Sequence, residues 1–148
     1  MGVAIASMDK YDLHRHHLIK TITAKDNEKV ADAAIILWQQ IATNIISIVG
    51  ESGFDSLYVR SIFLSASKFS WLASYNPKPD IRNQFTELKT CFEKQTPDHV
   101  KEANKQLLIT LTDILASLIG EPLTTHILCM AWGDVASDIV TKEFKNEG

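Results

Sequence analysis

The chain contains an internal repeat, in which residues 41–58 and 111–128 follow the same pattern at a constant offset of 70 residues. Three positions are identical between the two stretches: Ser47 and Ser117, Gly50 and Gly120, and Glu51 and Glu121. In each stretch, apolar residues recur at helical spacing up to the glycine, and a second helical pattern begins directly after it. This arrangement predicts two helical hairpins of related structure, and it constrains the fold more than any other feature of the sequence.

We expect residues 1–148 to form a single all-α domain, a helical bundle of five to seven helices. The two hairpins are predicted at about residues 27–72 and 97–142, and residues 1–25 are predicted to form an N-terminal arm or helix. Residues 74–80 contain two prolines and are predicted to link the repeats, because proline interrupts a helix. No stretch shows the sustained alternation of apolar and polar residues that is typical of strands.

Capping residues set the expected boundaries of the longest helices. Thr96 followed by Pro97 is typical of a helix start, since threonine caps free amide groups and proline suits the first helical position. Gly50 and Gly120 are predicted to end the preceding helices in the left-handed conformation, with positive φ.

Composition and charge narrow the possible partners. The net charge of −3, with scattered basic residues, does not favour nucleic-acid binding. No apolar run approaches the roughly 20 residues that cross a bilayer, and the N-terminus lacks the basic segment of a signal peptide. Cys91 and Cys129 are expected to be reduced thiols, because a domain of this length does not need a disulfide. We therefore expect a cytoplasmic protein with no membrane partner and no nucleic-acid partner.

The sequence carries none of the common motifs of serine hydrolases, P-loop proteins or zinc proteases. His14 and His17 could share a helix face, but no spacing implies a third or fourth metal ligand. We expect a protein that is not an enzyme, with no cofactor, no catalytic residue and no metal site.

Four residues are candidates for ligand binding: Arg60, Asp113, Glu51 and Glu121. Arg60 lies in the apolar run LYVRSIFL, and a buried arginine requires an acidic partner such as Asp113, Glu121 or Asp55. A structural salt bridge between Arg60 and Asp113, or solvent-facing positions for both, would explain them without a ligand. Alternatively, Arg60 lines a pocket for an anionic ligand, since its planar guanidinium suits carboxylate or phosphate. The equivalent Glu51 and Glu121 could bind a cation, although exposed positions near a helix start explain them more simply.

The leading hypothesis for function is a regulatory or adaptor protein, of the kind used in bacterial signalling, that acts through protein–protein contacts. Its helices carry more apolar surface than one small bundle can cover, which favours an interface with a partner protein or a second copy. Phe63, Trp71 and Trp132 are the candidate interface anchors, and a two-fold homodimer is the expected assembly. The alternative hypothesis is a small-ligand sensor whose anionic-ligand pocket includes Arg60.

The stretch His17-Leu18-Ile19-Lys20 resembles the short H-x-x-K pattern of histidine phosphotransfer bundles, although Thr21 replaces the small residue that should follow the lysine. The resemblance implies an exposed His17 that accepts a phosphoryl group, with a nearby cation to stabilise it. Phosphotransfer through His17 is therefore the third hypothesis.

Overall fold

The computed structural model describes residues 10–25, 28–74 and 81–133. Three sequence-based predictions fall partly or wholly outside these ranges. They are the arm before residue 10, the linker over residues 75–80, and the part of the second predicted hairpin beyond residue 133.

The described residues form five α-helices and one short 3-10 helix. We number the α-helices α1 (Lys10–Thr23), α2 (Val30–Ser65), α3 (Ile81–Glu93), α4 (Pro97–Ile119) and α5 (residues 121–133), and the 3-10 helix spans Ser70–Ser74. No strand occurs within these ranges. The predicted all-α bundle is therefore confirmed.

Two glycines break the long helical segments. Gly50 interrupts α2 with φ 82° and ψ 169°, and Gly120 separates α4 from α5 with φ 95° and ψ 155°. The predicted positive φ is confirmed at both positions, but the predicted left-handed helical conformation is wrong, because these ψ values lie in an extended region used almost only by glycine. The reason is visible at Gly120, whose N–H donates to Ala116 O (2.8 Å) and whose carbonyl accepts from Thr124 N (3.2 Å). One residue thus ends α4 and begins α5.

The start of α4 follows the sequence prediction. Thr96 is the N-cap, and its Oγ1 accepts a hydrogen bond from the His99 amide at 3.3 Å. Pro97 occupies the first helical position, where its missing N–H leaves no bond unmade.

The bundle is organised around the contact between α2 and α4. Two further helices pack crosswise on this pair: α1 packs mainly against α4, and α3 packs mainly against α2. The core beneath α3 is aromatic, with rings in edge, tilted or stacked contact at centroid distances of 5.3–6.2 Å. The rings belong to Trp38, Phe54, Tyr58 and Phe85.

The burial pattern supports the sequence repeat. Residues 41–49 and 111–119 have the same order of buried, half-buried and exposed positions, residue by residue. The offset of 70 residues also relates α1 to α3, where three corresponding pairs are buried: Arg15 and Phe85, Leu18 and Leu88, and Ile22 and Phe92. The correspondence in burial therefore extends beyond the two predicted hairpins to α1 and α3. Structural equivalence of the repeats stays a prediction, because burial alone does not fix the helix directions.

Helix α2 is the one described helix that is long and apolar enough to cross a membrane, with a mean hydropathy of 1.5 over its most apolar window. The sequence prediction concerned uninterrupted apolar runs, and polar residues do interrupt α2. Averaged over the window, however, its many isoleucines outweigh those polar residues. Core helices of soluble proteins pass the same test, and 33% of that window is buried against the rest of the bundle.

Candidate functional site

The most polar buried feature is an ion-pair cluster around Arg15, which the sequence analysis did not single out. Arg15 is only 1% exposed, although it lies on a surface helix, α1. Its guanidinium forms a two-point ion pair with Glu121, with Nε–Oε2 and Nη2–Oε1 distances of 3.0 and 2.6 Å. Paired hydrogen bonds of this kind fix the orientation of both groups.

Two residues of α4 complete the cluster. Arg15 Nη1 donates to Asp113 Oδ1 at 2.7 Å and to Thr112 Oγ1 at 2.9 Å. His16 Nε2 lies 2.8 Å from the same Asp113 oxygen. The cluster therefore joins three helices, since Arg15 belongs to α1, Asp113 to α4 and Glu121 to α5.

Burial and pairing act in opposite directions on the Arg15 guanidinium. Burial alone would lower its pKa, but the hydrogen bonds that it donates to Glu121 and Asp113, with the charges of those groups, outweigh burial and raise the pKa further above its ordinary value. The group is thus permanently charged and engaged by protein acceptors. A ligand that bound this guanidinium would have to displace Glu121 and Asp113. We therefore interpret the cluster as a structural ion-pair link between α1, α4 and α5.

Of the two explanations of Arg60 that need no ligand, the structure excludes the ion pair with Asp113 and agrees with a solvent-facing arginine. Asp113 and Glu121, two of its three proposed partners, bind Arg15 instead. Arg60 is exposed, because it lies on the side of α2 away from the buried Tyr58 and Ile62. It lines none of the cavities described below, and the described residues hold no ion pair for it. Glu51 is also exposed, so the two equivalent glutamates do not share an environment.

The three candidate interface anchors occupy different environments. Phe63 is 76% exposed, and Trp71 is half-buried against Phe69 and Phe92, with centroid distances of 6.2 and 6.0 Å. Trp132 is 1% exposed, and its Nε1 donates to Leu37 O at 3.1 Å. The prediction of Trp132 as a surface anchor is therefore wrong, because the ring belongs to the core.

The largest described groove lies between α2 and α3 and has a volume of about 640 Å³. Lys89 Nζ and Asp32 Oδ1 form an ion pair of 2.6 Å that joins the two helices. The hydrogen bond from Lys89 lowers the pKa of the Asp32 carboxyl, and the same contact raises the pKa of Lys89. Of two other cavities, one of about 140 Å³ lies where α1, α2 and α4 meet, and one of about 480 Å³ lies between α1 and α4.

The part of the chain that the structure describes offers little geometric support for a metal site. That part contains no group of three or more His, Cys, Asp or Glu side chains placed to hold a metal ion. His17 is exposed on α1, as is Lys20 one turn later, so phosphotransfer stays a sequence-based prediction.

Comparison with known proteins gave no match to a family model, to a curated protein or to a solved structure. The fold alone places the protein in the class of all-α helical bundles.

Proposed function

We propose that this protein is a non-enzymatic regulatory or adaptor module that binds other protein chains. The binding surface is the outer face of the second half of α2, defined by Val59, Phe63 and Leu64. The observation that carries this proposal is the exposure of Phe63, whose side chain is 76% accessible on a well-formed helix.

The outer face has the composition of a small interface. Val59 and Leu64 are 42% and 41% exposed. Val59 lies one helical turn before Phe63 on the same side of α2, and Leu64 lies on the flank of that side, about 100° further round the helix. Burying an aromatic or aliphatic side chain of this size releases about 1.5–3 kcal/mol, and aromatic residues are frequent energetic centres of interfaces. Arg60 and Lys68 are exposed nearby and would form part of a polar rim.

Substitution of Phe63 tests this proposal without disturbing the core. The wild-type protein, Phe63→Glu and Met130→Glu would be immobilised and exposed to an extract of the source cells. Met130 is the matched control, because it is also an exposed apolar residue, at 62%, but lies on α5. We expect a protein retained by wild type and Met130→Glu to be lost with Phe63→Glu. Equal retention by all three, with unchanged circular dichroism, would contradict the proposal.

A further inference from the structure

In the groove between α2 and α3, α2 carries apolar residues at two positions where the second sequence repeat has a polar and a small residue. At the offset of 70 residues, Ile36 corresponds to Gln106 and Ile46 to Ala116. Ile36 is 51% exposed, and Ile46 and Ala116 are both half-buried. Since α4 packs in the same bundle with a polar and a small residue at these positions, helix packing alone does not require the isoleucines. Their apolar surface faces a groove with the volume of a small-ligand site.

The residues that line the groove carry no net charge. Asp32 and Lys89 bind each other at 2.6 Å, and every other lining residue is uncharged. A charged ligand would therefore lose hydration without gaining a free countercharge. The Gln39 amide, in contrast, is exposed at the groove and has no hydrogen-bond partner among the described residues, so it can donate to and accept from a neutral polar group.

We propose that this groove binds an elongated, uncharged apolar molecule that carries one hydroxyl or amide group. The lining follows α2 from Asp32 to Ile46, a span of about 20 Å at about 1.5 Å per helical residue. The apolar part of the ligand lies over Ile36, Ile46 and the Phe85 ring, and its polar group bonds to Gln39. This site lies on the first half of α2 and does not depend on the protein-binding face around Phe63.

Three probes with the same alkyl chain test both the site and the ligand class. Decanol, decanoate and decylammonium would be titrated into the full-length protein and followed by amide chemical shifts. Decanol is expected to shift resonances of Ile36, Gln39 and Phe85. The two ions are expected to bind at least about threefold more weakly, because the groove has no free countercharge. Tighter binding of either ion than of decanol would overturn the assignment of an uncharged ligand.

Variants that copy the second repeat test the role of the isoleucines. Ile36→Gln/Ile46→Ala installs the residues of α4 and is expected to weaken decanol binding by about tenfold, because apolar contact area is lost. Ile36→Gln alone, at a half-exposed position, retains the fold and should weaken binding in the same direction. Met130→Gln is the control and should bind as wild type. The proposal is wrong if decanol shifts no groove resonance, or if both Ile36 variants bind it within about twofold of wild type.

Discussion

At the scale of single residues, Arg15 and Arg60 show which part of a site the sequence can predict. Arg15 could have been found, because it shares a helix face with Leu18, Ile19 and Ile22, which are all buried. Its partners could not, because they depend on α1 packing against α4 across about a hundred residues of chain. Arg60 lies in an equally apolar stretch, yet the helix turns it to solvent.

Replacement of Arg15 should destabilise the fold strongly. Arg15→Met removes the cation that neutralises Glu121 and Asp113, and loss of one partner of a buried ion pair costs about 3 kcal/mol. Chemical denaturation of Arg15→Met and of Arg60→Met, as the exposed control, would measure the difference. We expect the control to change the free energy of unfolding by less than about 0.5 kcal/mol. Equal stability of the two variants would show that the cluster contributes nothing to the free energy of unfolding.

The Asp32–Lys89 pair predicts a specific effect of pH. The pKa of Asp32 is lowered from 3.8 by the hydrogen bond from Lys89. The ion pair therefore stabilises the fold above pH 3.8. This stabilisation is lost as the pH falls through the lower pKa that Asp32 has in the folded state. In an NMR titration, Lys89→Met should raise the pKa of Asp32 towards 3.8. Lys105→Met, which breaks the surface pair with Glu102, should leave it unchanged. A midpoint for Asp32 that is the same with and without Lys89 would contradict this assignment.

At the scale of helices, the sequence predicts which helices form and where they end better than it predicts the backbone geometry of the junctions between them. The start of α4 at Thr96-Pro97 and the breaks at Gly50 and Gly120 follow from local backbone chemistry, which the sequence contains directly. The ψ angles at the two glycines do not, because they depend on the direction in which the next helix packs.

The glycine junctions should not tolerate a side chain. Alanine at Gly50 or Gly120 would have to adopt positive φ with extended ψ, which costs about 2 kcal/mol even though no neighbouring side chain blocks the Cβ at Gly50. Thermal or chemical unfolding of each Gly→Ala variant measures this loss. Gly133→Ala is the control, because Gly133 is helical, has open space around its Cβ, and should gain about 0.5–1 kcal/mol. If the junction variants matched the control, backbone conformation would not be the reason for glycine.

At the scale of the whole molecule, exposed apolar residues remain in both sequence repeats. Ile48 and Leu118 occupy corresponding positions before the two glycines and are 46% and 67% exposed. The sequence indicated that one bundle could not cover all of its apolar surface. It could not tell which residues remain exposed, because Phe63 and Trp132 lie in equally apolar stretches and only packing separates them.

We expect the protein to form a homodimer through the outer face around Phe63. Light scattering during size-exclusion chromatography at about 100 μM detects a dimer whose dissociation constant is near 1 μM, worth about 8 kcal/mol. Phe63→Glu should give a folded monomer, because the side chain is 76% exposed, whereas Met130→Glu should remain a dimer. A monomeric wild type would exclude self-association and leave a different protein as the expected partner.

The crossed packing of α1 on α4 and of α3 on α2 also affects how the chain can fold during its synthesis. The first half, once outside the ribosome, lacks the helices against which its main apolar faces pack. Trp38 cannot meet Phe85, nor Arg15 meet Glu121, until the second half has been translated. Because incompletely folded chains expose apolar surface and aggregate, we expect nascent chains that stop before α4 to depend on chaperones far more than the finished protein does.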